Sequence, residues 1–118
     1  MRISTWCWLC SAFLALQILS LGSVPFELTE PFDKVFHILA FGSLAMMLWI
    51  ATDGRRPVLV IAGVMMLGLA DELRQAFIPA RSADLMDFLA DALAACAVGA
   101  VMYWKQGARK ACAESSAR

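Results

Sequence analysis

The sequence is short of charge, and the charge that it has is unevenly placed. Of its 118 residues, 61% are hydrophobic and only 17% are charged, with ten acidic and ten basic side chains. Residues 3–26 contain no Asp, Glu, Lys, Arg or His, and between Val35 and Thr52 the only ionisable side chain is His37. The zero net charge excludes a basic nucleic-acid-binding domain and an acidic disordered tail. Because a membrane-spanning helix needs about 20 predominantly apolar residues, the uncharged stretches predict an integral membrane protein.

The sequence also lacks the motifs of common catalytic and metal sites. It contains no P-loop, no zinc-binding set and no nucleophile motif. The Cys7-x-x-Cys10 spacing has no second cysteine pair and no nearby histidine, so it predicts helix packing rather than a zinc or redox site. We therefore predict no metal ion and no cofactor, and the residues leave open whether the protein is an enzyme.

Four apolar segments separated by short polar loops predict an all-α protein, an integral membrane bundle of four transmembrane helices. We expect one domain over residues 1–104, followed by a polar cytoplasmic tail at 105–118. The spans are expected at about residues 6–24, 34–51, 58–78 and 84–104. The first segment also has features of a secretory signal peptide, but its apolar run is long for one, which favours a retained helix.

The distribution of basic residues predicts which ends of the spans face the cytoplasm. Lys and Arg are enriched in the short cytoplasmic loops of membrane proteins. In a chain with four spans, most of the basic groups lie on one side of the membrane, namely Arg2, Arg55, Arg56, Lys105, Arg109 and Lys110. Glu27 and Glu30 lie in the first loop, on the other side. We therefore expect a multi-pass protein with both termini in the cytoplasm.

The ionisable side chains at membrane depth all fall in the outer halves of the last three spans. The carboxylates are Asp33, Asp71, Glu72, Asp84, Asp87 and Asp91, and the candidate cations are Lys34, His37, Arg74 and Arg81. Each charge that faced lipid would cost on the order of 2.5–3.5 kcal/mol, so these side chains are expected to face the bundle interior or a water-filled cavity. The excess of carboxylates predicts that some are protonated or that a bound cation completes the balance.

Helical spacing groups these residues on common faces. Two pairs lie four residues apart and share a helix face, Asp33 with His37 and Asp71 with Gln75. Asp84, Asp87 and Asp91 lie at i, i+3 and i+7, which places them in one stripe along the fourth helix. The three outer helix ends are therefore expected to meet in one polar cluster.

Two motifs in this region are typical of a known family. They are Asp33-Lys34-x-x-His37-x-x-x-Phe41 and Asp71-Glu72-x-x-Gln75-x-x-x-Pro79-x-Arg81, followed by Asp87. With them the chain resembles, over about residues 25–104, the VanZ-like family of small integral membrane proteins, named for a glycopeptide (teicoplanin) resistance determinant. The family pattern usually has Gly where this chain has Ala80, and Asn where it has Asp91. The resemblance implies a protein of the bacterial inner membrane and cell envelope that is connected with lowered glycopeptide susceptibility.

The candidate site residues fall into two groups. The catalytic candidates are His37, Glu72 and Asp71, and the ligand-binding candidates are Asp33, Lys34, Gln75, Arg81, Asp87 and Asp91. His37 is placed to act as a general base oriented by Asp33. Two adjacent carboxylates can share a proton or hold a cation, and the planar guanidinium of Arg81 suits a phosphate or a carboxylate.

Each candidate also has a structural interpretation. His37 could tie the second helix to the third, and the acidic pair of the third helix could bond Lys34 and Arg81 to lock the bundle. Arg81 could equally clamp Asp87 within the protein. Asp84 is expected to cap the start of the fourth helix.

The main functional hypothesis is an outward-facing polar cavity that binds an anionic or glycan-bearing component of the envelope. A lipid headgroup and a cell-wall precursor are both suitable ligands, and action on the ligand stays open. The alternatives are a small proton-coupled transport unit and a non-catalytic membrane scaffold. We expect membrane lipids and no nucleic acid as partners, and the residues give no oligomeric state.

Overall fold

A computed structural model describes residues 3–21, 29, 31–79 and 83–117, and most of them are helical. The helices are α1 (Ile3–Leu21), α2 (Phe32–Ala51), α3 (Pro57–Gln75) and α4 (Leu85–Ser116). None of these residues belongs to a β-strand. The predicted all-α fold of four helices is therefore confirmed.

Local chemistry explains where the helices begin and end. Pro57 opens α3, at a position where a missing N–H costs nothing. Between α2 and α3 the chain reverses through Asp53 and Gly54, which have φ of 52° and 64°. Asp84 caps α4 by accepting a hydrogen bond of 2.9 Å from the Met86 N–H, as predicted.

Two helices end away from their expected limits. α3 ends at Gln75, a few residues before the expected limit of 78, and residues 76–79 form a turn. α4 is 32 residues long and continues to Ser116, well past the expected limit of 104. About 20 residues suffice to cross the hydrocarbon core, so its last part extends beyond that core. Residues 22–24, assigned to the first span, lie outside the described part of the chain.

The bundle has an apolar surface and a partly polar interior, which is the reverse of a soluble protein. On α1, Phe13 and Leu16 are each 64% exposed, and Leu93 on α4 is 70% exposed. His37 and Asp91, by contrast, are 4% and 0% exposed. Soluble monomers rarely expose large apolar patches, and α1, α2 and α4 are long and apolar enough to cross a membrane. The chain is a membrane protein.

α3 carries charged residues near its end and turns its two carboxylates toward the interior of the bundle. Its last two turns contain Asp71, Glu72 and Arg74. Both carboxylates are buried, whereas Leu69 and Leu73 beside them are exposed. The outer face of α3 is therefore apolar next to its charged residues, as the cost of exposing charge to lipid requires.

α4 packs against both α2 and α3, while α1 lies mainly on α2. The core where they meet includes Phe41, Leu44, Ala45, Val64 and Ala95. Ala45 and Ala95 are fully buried, and such small side chains let membrane helices approach closely. This packing brings together the start of α2, the end of α3 and the start of α4.

Gly68→Ala is expected to lower the free energy of unfolding by about 1–3 kcal/mol through overpacking. A Cβ at Gly68 would lie 2.9 Å from Oδ2 and 3.3 Å from Cβ of Asp91. Gly63→Ala is the matched control on the same helix, because a Cβ there meets nothing within 4 Å. Thermal unfolding in detergent micelles, followed by circular dichroism, compares the two variants. Equal unfolding midpoints would contradict the close contact between α3 and α4.

Candidate functional site

Three acidic residues, Asp84, Asp87 and Asp91, run from the partly exposed start of α4 into the interior of the bundle. The side chain of Asp84 is 39% exposed, that of Asp87 is 6% exposed and that of Asp91 is fully buried. Asp87 and Asp91 lie on one face of α4, as their spacing predicts, and Asp84 caps the start of that helix. The acidic residues therefore lead from the start of α4 into the interior of the bundle and end at Asp91.

His37 of α2 is held by Asp91 at the inner end of this row of acidic residues. The His37 Nδ1 and the Asp91 Oδ1 are 2.9 Å apart. Phe41 stacks on the imidazole ring, with the two ring planes 1° from parallel and their centroids 5.9 Å apart. The expectation that Asp33 orients His37 is therefore wrong, because Asp91 on the neighbouring helix makes that hydrogen bond.

Lys34 joins the start of α2 to the start of α4. Its Nζ lies 3.3 Å from Asp84 Oδ2 and 3.4 Å from Asp87 Oδ1. The hydrogen bond from the Met86 N–H lowers the pKa of the Asp84 carboxyl, and the Lys34 ammonium lowers it further. Asp84 is therefore ionised at neutral pH and attracts Lys34.

The acidic pair of α3 makes different contacts from those expected. Asp71 accepts hydrogen bonds from Arg74 and, at 2.9 Å, from Gln75, both of its own helix. Glu72 Oε2 accepts the Asp84 backbone N–H at 2.9 Å and so ties α3 to the start of α4. The structural interpretation, in which this acidic pair bonds Lys34 and Arg81, stays a prediction, because Arg81 lies outside the described residues. Sequence reasoning missed Arg74 as the partner of Asp71, although the i, i+3 spacing pointed to it.

Several buried carboxylate oxygens have no hydrogen-bond donor among the described residues. They are Oε1 of Glu72, Oδ1 of Asp87 and Oδ2 of Asp91. A buried acceptor without a donor costs about 1–3 kcal/mol, and more when it is charged. The Asp87 Oδ1 has the Lys34 ammonium nearby but without hydrogen-bond geometry. The described residues therefore supply fewer hydrogen-bond donors than the buried carboxylates of the cluster can accept.

The structure brings most of the candidate residues into this one cluster. Lys34 contacts Asp87, and His37 contacts Asp91. One ligand atom from each of Asp33, His37 and Asp87 lies within 4.8 Å of the others, close enough to share a metal ion. On the neighbouring helix the cluster continues with Asp71, Glu72 and Gln75. Arg81 lies outside the described residues, so its predicted role stays a prediction.

The helices and the cluster define a small all-helical membrane protein with a buried acidic site at one end. Residues 4–106 match the family model described as VanZ/LLP1. That match covers most of the chain, so the protein belongs to the VanZ/LLP1 family and the resemblance seen in its motifs is confirmed. No curated protein and no solved structure matches the chain.

Proposed function

We propose that the polar cluster of α2, α3 and α4 binds the headgroup of an envelope component, such as a lipid or a cell-wall precursor. The supporting observation is the set of buried carboxylate oxygens that lack a donor, on Glu72, Asp87 and Asp91. A headgroup rich in hydroxyl groups supplies donors to them, and its anionic groups pair with the cations of the cluster. Glycan-bearing and phosphate-bearing headgroups both fit this description.

The gradient of burial along α4 supports a site that is entered from the water-facing end. Asp84 and Lys34 are partly exposed at that end, whereas Asp87 is buried behind them. A headgroup at the membrane surface can reach the first residues while its apolar part stays in the lipid. Asp84 and Lys34 then bind the ligand at the entrance, and the deeper carboxylates accept hydrogen bonds from its donor groups.

The interior beyond Asp91 argues for binding rather than proton-coupled transport. Apart from Ser11, whose hydroxyl donates to the Cys7 carbonyl, the buried residues toward the other end of the bundle are apolar, including Leu44, Ala45, Val64 and Trp49. A proton relay needs a chain of titratable groups across the membrane. Among the described residues the carboxylates reach only to Asp91.

The family and the basic residues together favour a place in the bacterial inner membrane with both termini in the cytoplasm. In this orientation the cluster faces the outside of the cell, where envelope components are assembled. Arg55 and Arg56, at the opposite end of the bundle, then lie on the cytoplasmic side. An outward-facing site is consistent with a role in glycopeptide susceptibility, which the family resemblance implies.

In this orientation Cys112, exposed near the end of α4, is expected to resist an impermeant maleimide in intact cells and to react after permeabilisation. The test uses a chain in which the other three cysteines are replaced by alanine. A matched control adds Ala83→Cys and replaces Cys112, because Ala83 is exposed beside the outer end of α4. Labelling of Cys112 in intact cells would overturn the orientation.

Native mass spectrometry of the full chain, purified in its own lipids, tests the proposed function. We expect one headgroup-bearing molecule to be retained per chain under conditions that strip bulk lipid. Its mass identifies the envelope component. A folded chain that retains no such molecule would support the scaffold interpretation instead.

A further inference from the structure

We propose that Asp33, His37 and Asp87 form a binding site for one divalent transition-metal ion. One ligand atom from each residue lies within 4.8 Å of the other two. Metal–ligand bonds of about 2.0–2.2 Å place neighbouring ligand atoms roughly 3–3.5 Å apart, so small side-chain rotations close the set around an ion. The sequence predicted no metal site, because Asp87 and His37 lie on different helices.

The hydrogen bond between His37 and Asp91 prepares the imidazole for a metal. Asp91 Oδ1 lies 2.9 Å from His37 Nδ1, so an ionised Asp91 places the ring proton of a neutral imidazole on Nδ1, and Nε2 then keeps its lone pair for a metal. Metal-binding histidines usually donate their other ring N–H to a carboxylate, which fixes the tautomer and raises the basicity of the ligand. The stacked Phe41 ring also limits rotation of the imidazole.

Asp87 supplies a second and independent indication of a ligand. It is only 5% exposed, and its Oδ1 has no hydrogen-bond donor among the described residues. This oxygen has an ion pair of 3.4 Å with the partly exposed Lys34 but no hydrogen bond within the described part of the chain, so a bound metal ion can supply the coordination that it lacks. The nearby Lys34 also lies 3.3 Å from Asp84, so it keeps a partner when Asp87 turns toward an ion.

The donor set identifies the class of ion. One imidazole nitrogen suits Zn²⁺, Fe²⁺ and related ions, and two carboxylates suit Mn²⁺ and harder cations. Two carboxylates also offset the two charges of a divalent ion. With three protein ligands the ion keeps open positions for water or for a phosphate oxygen. Only the binding of a phosphate oxygen at an open position rests on the proposed headgroup function.

Binding of Mn²⁺ alone to the full chain in detergent micelles tests the site. Mn²⁺ is the probe because the chain has free cysteines, and Mn²⁺ prefers carboxylate oxygen to thiolates. After chelation and dialysis, free Mn²⁺ is counted by electron paramagnetic resonance. We expect one ion per chain, and Asp87→Asn and Asp33→Asn are expected to weaken binding at least tenfold.

Two further variants test whether Asp91 positions His37 for the metal and whether loss of a distant carboxylate alone changes Mn²⁺ binding. Asp91→Asn touches no metal ligand atom and is expected to weaken binding about 10–100-fold through His37. Asp53→Asn is the matched control, since Asp53 is exposed in the turn at the opposite end of the bundle and should bind Mn²⁺ as the wild type does. Circular dichroism confirms that each variant is folded.

A folded wild-type chain that binds no Mn²⁺ would overturn the metal site. Equal Mn²⁺ affinity of the wild type, Asp33→Asn and Asp87→Asn would overturn it as well. These measurements contain no envelope lipid, so they are independent of the headgroup proposal. A chain that binds Mn²⁺ but retains no headgroup molecule contradicts only the proposed function, and the reverse result contradicts only the metal site.

Discussion

Replacing Asp91 by alanine is expected to lower the free energy of unfolding by about 3–5 kcal/mol, because it removes one partner of a buried pair. Asp91 is fully buried and holds the His37 Nδ1 at 2.9 Å. Without it the imidazole N–H loses its acceptor in the interior, and a cavity is left beside Gly68. Thermal unfolding of the variant in detergent micelles, compared with that of the wild type, measures the loss.

Two further variants show whether the pair itself is responsible. Asp91→Asn keeps an oxygen acceptor for His37 and places the residue usual in the family pattern, so we expect a much smaller loss of stability. In a double-mutant cycle, His37→Ala and Asp91→Ala are expected to be non-additive by more than about 0.5 kcal/mol. Additive effects, or an unchanged Asp91→Ala, would contradict a structural pair between α2 and α4.

Replacing Glu72 by glutamine is expected to abolish function while the protein stays folded. The side-chain oxygen of Gln can still accept the Asp84 N–H, which Glu72 accepts at 2.9 Å. The variant replaces the free acceptor at Oε1 by an NH₂ donor. A buried donor of the ligand that loses its acceptor costs about 1–3 kcal/mol, so headgroup binding should weaken roughly tenfold to a hundredfold.

The readout for Glu72→Gln is lipoglycopeptide susceptibility in a host that lacks its own copy, normalised to membrane-inserted protein. Arg81→Lys is expected to impair function as well, since lysine keeps the charge but loses the planar fork for an anion. Asp53→Asn is the control and should match the wild type. Unchanged activity per folded molecule in both site variants would leave only the scaffold interpretation.

The helices were predictable because the absence of charge reveals them. Long uncharged stretches such as residues 3–21 and the segment after Val35 favour helices, because a helix satisfies every backbone polar group within its own segment in a membrane. The stripe of Asp84, Asp87 and Asp91 was predictable too, because the 3.6-residue period places them on one face. Contacts within one helix, such as Asp71 with Gln75, follow from the same rule and are found in the structure.

Contacts between helices could not be read from spacing. Whether His37 meets Asp33 or Asp91 depends on how α2 crosses α4, which small residues such as Ala45 and Ala95 determine through close packing. The sequence therefore identified the residues of the cluster but assigned His37 to the wrong partner. The contact between Glu72 and the Asp84 N–H depends in the same way on how the chain returns from α3 to α4.

The length of α4 shows a second limit of the hydropathy pattern. Hydropathy falls after Trp104, and the span was expected to end there. The helix nevertheless continues to Ser116. Residues 108–114 consist mostly of Ala, Arg, Lys and Glu, which have high helix propensity in water. Membrane hydropathy marks the end of a span, whereas backbone propensity decides where the helix itself ends.

We infer that the buried cluster binds a ligand and is not only a structural clamp. The most direct test counts headgroup molecules retained by folded wild type, Glu72→Gln and Asp53→Asn chains in native mass spectrometry. We predict one retained molecule in the wild type and in Asp53→Asn, and at least a tenfold lower occupancy in Glu72→Gln at equal folded protein. Equal occupancy in all three chains, or none in the wild type, would contradict the claim.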